Sequence, residues 1–345
     1  MISIQQLGAM DLRKEKSPYT QYHKDLKTNT SREDLPSYFH IPYVHNGYRE
    51  IHKPWSYYVG SVFRANLESL NVWTHVAGFA LVLSRLWQTV YERDFADPHL
   101  GPLFASFVSF LLMFAASSAA HLFSHKSITT NCVLFMADIS TIGLYGFGTI
   151  LNHYHYSVPL TLQGTILHQY AVPFGVFVSA VVCLSGGAAK VVYSNLQSKI
   201  RVVLMAASIG GLYYFSNIPI LYRLIYEEWT DVHWYHAKQY FYFHCTAFFF
   251  CSRIPERFFP GRFDIIGNSH QLFHVAMVLC TDRHLDGVLA DVDNIDQSAH
   301  TYPGYEAWAG PLLLLVILID AVIMFLFYRL HFHYLLPNSD KKKDS

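Results

Sequence analysis

Stretches of about twenty mostly apolar residues recur eight times along this chain, near 71–91, 102–122, 132–151, 169–189, 202–222, 236–254, 265–282 and 310–330. A helix of that length crosses the hydrocarbon core of a bilayer, and it satisfies its own backbone hydrogen bonds there. The pattern predicts an all-α integral membrane protein. The sixth and seventh runs are the least apolar, because they contain His244, His270 and His274. The eighth, Leu312 to Phe327, is the plainest. Composition agrees: 52% of the 345 residues are hydrophobic and 14% are charged, against about a quarter charged in soluble domains. Basic and acidic residues number 25 each, which leaves no basic excess for nucleic acid. The five cysteines (132, 183, 245, 251 and 280) lie in or beside apolar runs without CxxC pairing. They read as small buried residues rather than disulfides or a thiolate metal site. The first thirty residues are charged throughout, so no cleavable signal peptide is expected.

Four regions follow. Residues 1–53 form a polar N-terminal segment. Residues 54–68 combine Trp55, Tyr57, Tyr58, Val62 and Phe63 with Arg64 and Glu68, the composition of an interfacial amphipathic helix. Residues 69–330 form the polytopic domain, and 331–345 a basic tail. Basic residues fix the orientation. Nine precede the first run. Lys126, then Lys190, Lys199 and Arg201, then Arg253, Arg257 and Arg262, then Arg329 and Lys341 to Lys343 fall on the same side, making twenty of 25. By the positive-inside rule both termini are cytosolic across eight spans. The connection at 152–167 has no Lys or Arg, and 283–309 is acidic, with Asp286, Asp291, Asp293, Asp296 and Glu306. The sequon at Asn29 falls in the cytosol and is expected to stay unglycosylated.

Ionisable residues inside a bilayer are costly and mark candidate sites. His121 lies about one turn from the inner end of the second run, Asp138 two turns into the third, and His270 and His274 in the first half of the seventh. At 1.5 Å per residue all four sit roughly 6–15 Å from the inner ends. His270 and His274 share one helical face, a spacing that suits zinc. No Glu lies between them, so further groups come from elsewhere. His121 can supply a third nitrogen, and Asp138 an acid/base or orienting carboxylate. Ser117 is one turn before His121 on the same face. Three His ligands leave a position open, as in catalytic zinc sites. The alternative is a pair of interface histidines and a buried, helix-bonded aspartate. His75 reads as a polar anchor, Asp264 as the cap of the seventh helix, and Asp320 as a hydrogen-bonding contact to another helix. Arg253, Glu256, Arg257 and Arg262 read as a charged cytosolic loop, and His153 and His155 as interface aromatics of an outer loop.

Ser117-Ser118-Ala119-Ala120-His121, Asp138, the entry Asn71-Val72-Trp73-Thr74-His75 and the long string from Arg253 to His274 (RIPERFFPGRFDIIGNSHQLFH) resemble the progestin and adipoQ receptor family. The likeness runs from about residue 40 to residue 282. The eighth run and the Arg253–Arg257 loop are similar to the membrane progestin receptor branch. Asp138 is followed by Ile139, where the family often carries an aromatic. The resemblance implies a seven-helix bundle with an added C-terminal span. It implies a zinc ion held by His121, His270 and His274, with Ser117 and Asp138 beside it. It also implies a plasma-membrane receptor for a progestogen-like steroid, signalling through an inhibitory heterotrimeric G protein. Analogy with the adiponectin receptor branch and alkaline ceramidases offers a second role, zinc-dependent hydrolysis of a ceramide-like lipid amide with Asp138 and Ser117 catalytic. A purely structural zinc is a third.

Overall fold

The computed structural model describes residues 31–94, 96–193, 199–295 and 304–335. The first thirty residues with the Asn29 sequon, Asp296 of the acidic connection and the basic run Lys341 to Lys343 lie outside that range. The regular elements among the described residues are all helices, with no strand. A short helix α1 (Trp55–Ser61) precedes α2 (Ser69–Glu92), α3 (Gly101–Phe123), α4 (Ile128–His155), α5 (Ile166–Gly187), α6 (Lys199–Ser216), α7 (Ile218–Tyr226), α8 (Asp231–Ser252), α9 (Ser269–Asn294) and α10 (Ala309–Leu330). Each of the eight apolar runs is helical, the fifth as the pair α6–α7. Four segments are by themselves long and apolar enough to cross a membrane: those built on α3, α4, α5 and α10. The bent pair α6–α7 makes a fifth. The α2, α8 and α9 helices dilute their apolar faces with buried polar residues such as His75, Gln239 and His284.

Consecutive helices from α2 to α6 pack side by side. The α9 helix lies between α8 and α2 and brings the far end of the chain back to the start, while α10 packs outside against α5 and α4. Small residues allow close approach: a Cβ on Gly78 of α2 would stand 2.4 Å from the Phe114 ring of α3. Asp320 fastens α10 to the bundle by accepting a 2.8 Å bond from the Ser140 hydroxyl of α4.

Prolines explain two irregularities. Pro219 follows the α6–α7 break, where the axes bend by 56°, because proline cannot donate to the carbonyl four residues back. That carbonyl, of Phe215, instead accepts the Tyr154 hydroxyl at 2.9 Å, and the next one, of Ser216, accepts His153 Nδ1 at 2.9 Å. Pro173 sits inside α5, and the freed Gln169 carbonyl accepts the Tyr305 hydroxyl. Side-chain partners thus replace water, as burial requires.

Residues 31–53 fold over the bundle end where α3 finishes and α9 starts. Asn46 donates its backbone N–H to Asp264 at 2.7 Å, and Gly261 donates to the Tyr43 carbonyl. Asp264 therefore ties down the N-terminal segment and does not cap α9. That cap is Asn268, whose side chain accepts the Gln271 N–H. His153 and His155 differ from expectation too. They are the last turn of α4 and are buried, since α4 runs on past the apolar stretch. In the stretch 54–68 the helix covers Trp55–Ser61 alone.

Candidate metal centre

The chain brings three imidazoles from two helices together where α3 ends and α9 begins. His121, His270 and His274 each offer a nitrogen, and the three atoms lie within 4.8 Å of one another. His121 and His274 are buried and His270 is partly so. The Nε2 atoms of His121 and His270 are 3.2 Å apart. Two tetrahedral ligands at zinc–nitrogen distances of 2.0–2.1 Å stand about 3.3 Å apart, so the spacing suits a metal of that size.

The remaining ring nitrogens decide what faces the centre. His121 Nδ1 is 2.7 Å from Glu68 Oε2. A carboxylate only accepts, so Nδ1 donates and the Nε2 lone pair points inward. His274 Nδ1 lies 3.2 Å from the Asn71 carbonyl and 3.2 Å from the Thr74 hydroxyl. A carbonyl also only accepts, so here too Nε2 is left as the bare nitrogen. Outer groups that fix tautomer and ring direction in this way are characteristic of metal-binding histidines. The donor set therefore fits a metal of the zinc type.

Glu68 is the residue that sequence reading places elsewhere. It immediately precedes α2 and is 3% exposed. Its carboxylate accepts the Asn71 side-chain amide at 2.8 Å as well as His121. Burial alone would raise its pKa, but the His121 imidazole and the Arg49 guanidinium outweigh burial and hold the carboxyl well below its usual range. Arg49 was equally invisible as part of a polar leader. Its guanidinium donates to the His121 and Leu122 carbonyls, both at 2.6 Å, and to the Ser124 hydroxyl at 2.8 Å. It thus closes the carbonyl end of α3. Next to it, burial and then Arg49 push the His125 imidazole down to about 3, so His125 stands neutral. The only sequence signal for Glu68 was a carboxylate three residues before Asn71 at the edge of an apolar run.

The string before α9 holds its two histidines in place. Glu256, expected in a solvated loop, is 2% exposed and accepts the Ser269 N–H at 2.7 Å and its hydroxyl. Gln271 accepts the Gly267 N–H at 2.6 Å and donates to the Ile265 carbonyl at 2.8 Å. Gly267 has φ +83°, a turn open to glycine.

Asp138 lies beside the Ser117 hydroxyl and within electrostatic reach of His121. The Asp138 carboxylate does not join the three converging nitrogens. His75 lies in the same layer, with its ring centroid 3.8 Å from that of His274. All these groups border one cavity of about 500 Å³, whose walls continue through Met205, Ile209, Phe243 and Met277. A second convergent group, His99, His155 and Glu306, lies at the opposite end of the bundle.

Residues 63–285 match the family described as Haemolysin-III related. Among curated relatives, the chain is 30% identical to membrane progestin receptor beta of Mus musculus over 264 residues, which is 75% of this chain and 74% of that one. It is 30% identical to membrane progestin receptor alpha-B of Danio rerio, covering 75% of each. It is also 30% identical to membrane progestin receptor alpha of Sus scrofa, covering 80% and 79%. Together with the apolar helices, these relatives identify a multi-pass membrane protein.

Proposed function

We propose, for a chain that belongs to the progestin and adipoQ receptor family and to its membrane progestin receptor branch, that its receptor role is recognition of a progestogen-like steroid within the bundle. The observation that carries this reading is the cavity. It is about 500 Å³, apolar along Met205, Ile209, Phe243 and Met277, and polar at one end. Drug-sized ligands occupy pockets of that size and character. Signalling then passes to an inhibitory heterotrimeric G protein from a plasma-membrane location with both termini cytosolic, the orientation that the basic residues favour. The test is saturation binding of labelled progesterone to the purified chain in lipid nanodiscs. The reading expects one saturable site displaced by unlabelled steroid; binding that rises linearly with concentration contradicts it.

His121, His270 and His274 are the proposed zinc ligands. Glu68 and Asn71 hold two of the rings with Nε2 inward, and Arg49 fixes the helix end that carries His121.

A second reading rests on Asp138 and Ser117 beside those histidines in the same cavity: hydrolysis of a ceramide-like amide. Zinc would supply Lewis acidity there. Asp138 would accept and return the proton, and Ser117 would orient the carboxylate or the substrate carbonyl. Asp138→Asn keeps size and hydrogen bonding but removes the base. It is expected to retain metal and cut any ceramide turnover by about 10²–10⁴, while a receptor without hydrolase activity keeps full steroid affinity. Unchanged turnover in the variant would contradict the catalytic role of Asp138.

A further inference from the structure

Three cations border the cavity at the end that holds the three histidines: Lys190 at the end of the α5 segment, Arg201 in the first turn of α6, and Arg253 at the C-cap of α8. They lie close enough to feel one another, Lys190 with Arg201 and Arg201 with Arg253. Among the described residues none of the three forms an ion pair. Lys190 donates to the Asn131 side chain at 2.7 Å and faces the Tyr38 and Phe135 rings. The carboxylate nearest Arg253, Glu256, is occupied with Ser269.

Helix dipoles account for two of these charges, because cations are favoured at helix C-termini. Arg201 has the opposite setting. It stands at the positive end of α6, half-buried and beside two other cations. An anion is what would balance such an arrangement. Met205 and Ile209, one and two turns on, also border the cavity. At that spacing they share a face with Arg201, so an apolar wall leads inward from the cationic mouth.

We propose that Lys190, Arg201 and Arg253 form an anion-binding mouth that takes the sulfate, phosphate or carboxylate head of an amphiphile whose apolar body lies along Met205 and Ile209. The proposal deepens the steroid reading and rests on it for the body of the ligand, while the head is recognised by charge. Its source is either a conjugated sterol or a lipid of the surrounding leaflet.

The experiment compares pregnenolone sulfate with pregnenolone on the purified full chain in phosphatidylcholine nanodiscs. The sulfate is expected to bind about tenfold more tightly or better, the scale of a charge-assisted contact. Arg201→Gln should abolish that preference and leave pregnenolone affinity within about twofold, and Arg201→Lys should restore most of it. Displacement of the sulfate by phosphatidylserine in the disc would assign the site to a lipid head, and indifference to phosphatidylserine would assign it to a free conjugate; both outcomes uphold an anion site. Equal wild-type affinity for the two steroids, or equal loss of both in Arg201→Gln, overturns it. Should neither steroid bind wild type, the steroid reading fails separately. Decyl phosphate, compared with decanol, then reads the mouth alone. It should raise the unfolding temperature of wild type and not of Arg201→Gln; no such difference overturns the anion site.

Discussion

The bundle buries two sets of three histidines, one at each end, and their arrangement differs. His121 and His274 hold their outer nitrogens against Glu68, Asn71 and Thr74, and all three histidines, His270 included, offer a nitrogen toward a common point. His153, His236 and His284 are buried, as are His121 and His274, while His270 is partly so. His153, His236 and His284 each spend a nitrogen on a different neighbour: the Ser216 carbonyl, the Asp291 carboxylate and the Asn152 amide. The remaining nitrogens do not form a convergent group. Burial and residue type are therefore shared, and direction separates a metal-type site from a structural network. The arginines repeat the contrast. Arg85, Arg93, Arg223 and Arg283, at the end remote from His121, all pair with carboxylates. Among the described residues, Arg49, Arg201 and Arg253 at the His121 end do not.

The largest effect that sharpens this contrast is expected at Asp291. It accepts from His236 at 2.9 Å, from Arg223 at 2.8 Å and from the Ser157 hydroxyl. Asp291→Asn takes the buried carboxylate from Arg223 and leaves it only Glu227, 3.2 Å away and partly exposed, at a cost of up to about 3–5 kcal/mol. Metal content should stay at the wild-type value. Thermal unfolding and metal analysis on the same preparation check this, and a loss of metal would break the separation of the two ends.

Glu68→Gln should do the reverse. The carboxamide can still accept from His121 Nδ1 but no longer balances Arg49 or raises the basicity of the ring. Metal affinity is expected to fall by about 10–100-fold, measured by competition with a chelator. An unchanged affinity would remove Glu68 from the account. The smallest effect belongs to Tyr154→Phe, which leaves the Phe215 carbonyl at the α6–α7 bend without its donor. A stability loss of about 0.5–1.5 kcal/mol, with metal unchanged, is the expected result of denaturation and metal analysis. A change in metal content would connect the bend to the site.

What the sequence makes legible here follows helical periodicity. His270 and His274 are visible because four residues make one turn, and His121 and Asp138 because charge is costly inside an apolar run. The eight helices are legible for the same reason, even α8 and α9 with their polar faces. Glu68 and Arg49 were not, because they belong to a segment whose composition reads as a solvated or interfacial leader and their partner His121 lies 53 and 72 residues away. His153 and His155 were misplaced because an apolar run ends before its helix does. Asp264 preceded an evident helix start, and only the fold shows its carboxylate turned to Asn46 while Asn268 makes the cap. Local pattern finds elements and the ligands spaced along them; the groups that aim those ligands come from distant chain.

The most direct measurement is the metal content of the purified chain, for wild type, His270→Ala, His274→Ala and His284→Ala. Three convergent imidazoles predict about one zinc per wild-type chain, loss of it in His270→Ala and His274→Ala, and full retention in His284→Ala, although all three substitutions remove a histidine from the same helix. Zinc that persists through His270→Ala and His274→Ala, or that disappears with His284→Ala, would contradict the assignment of the site to the His121 end.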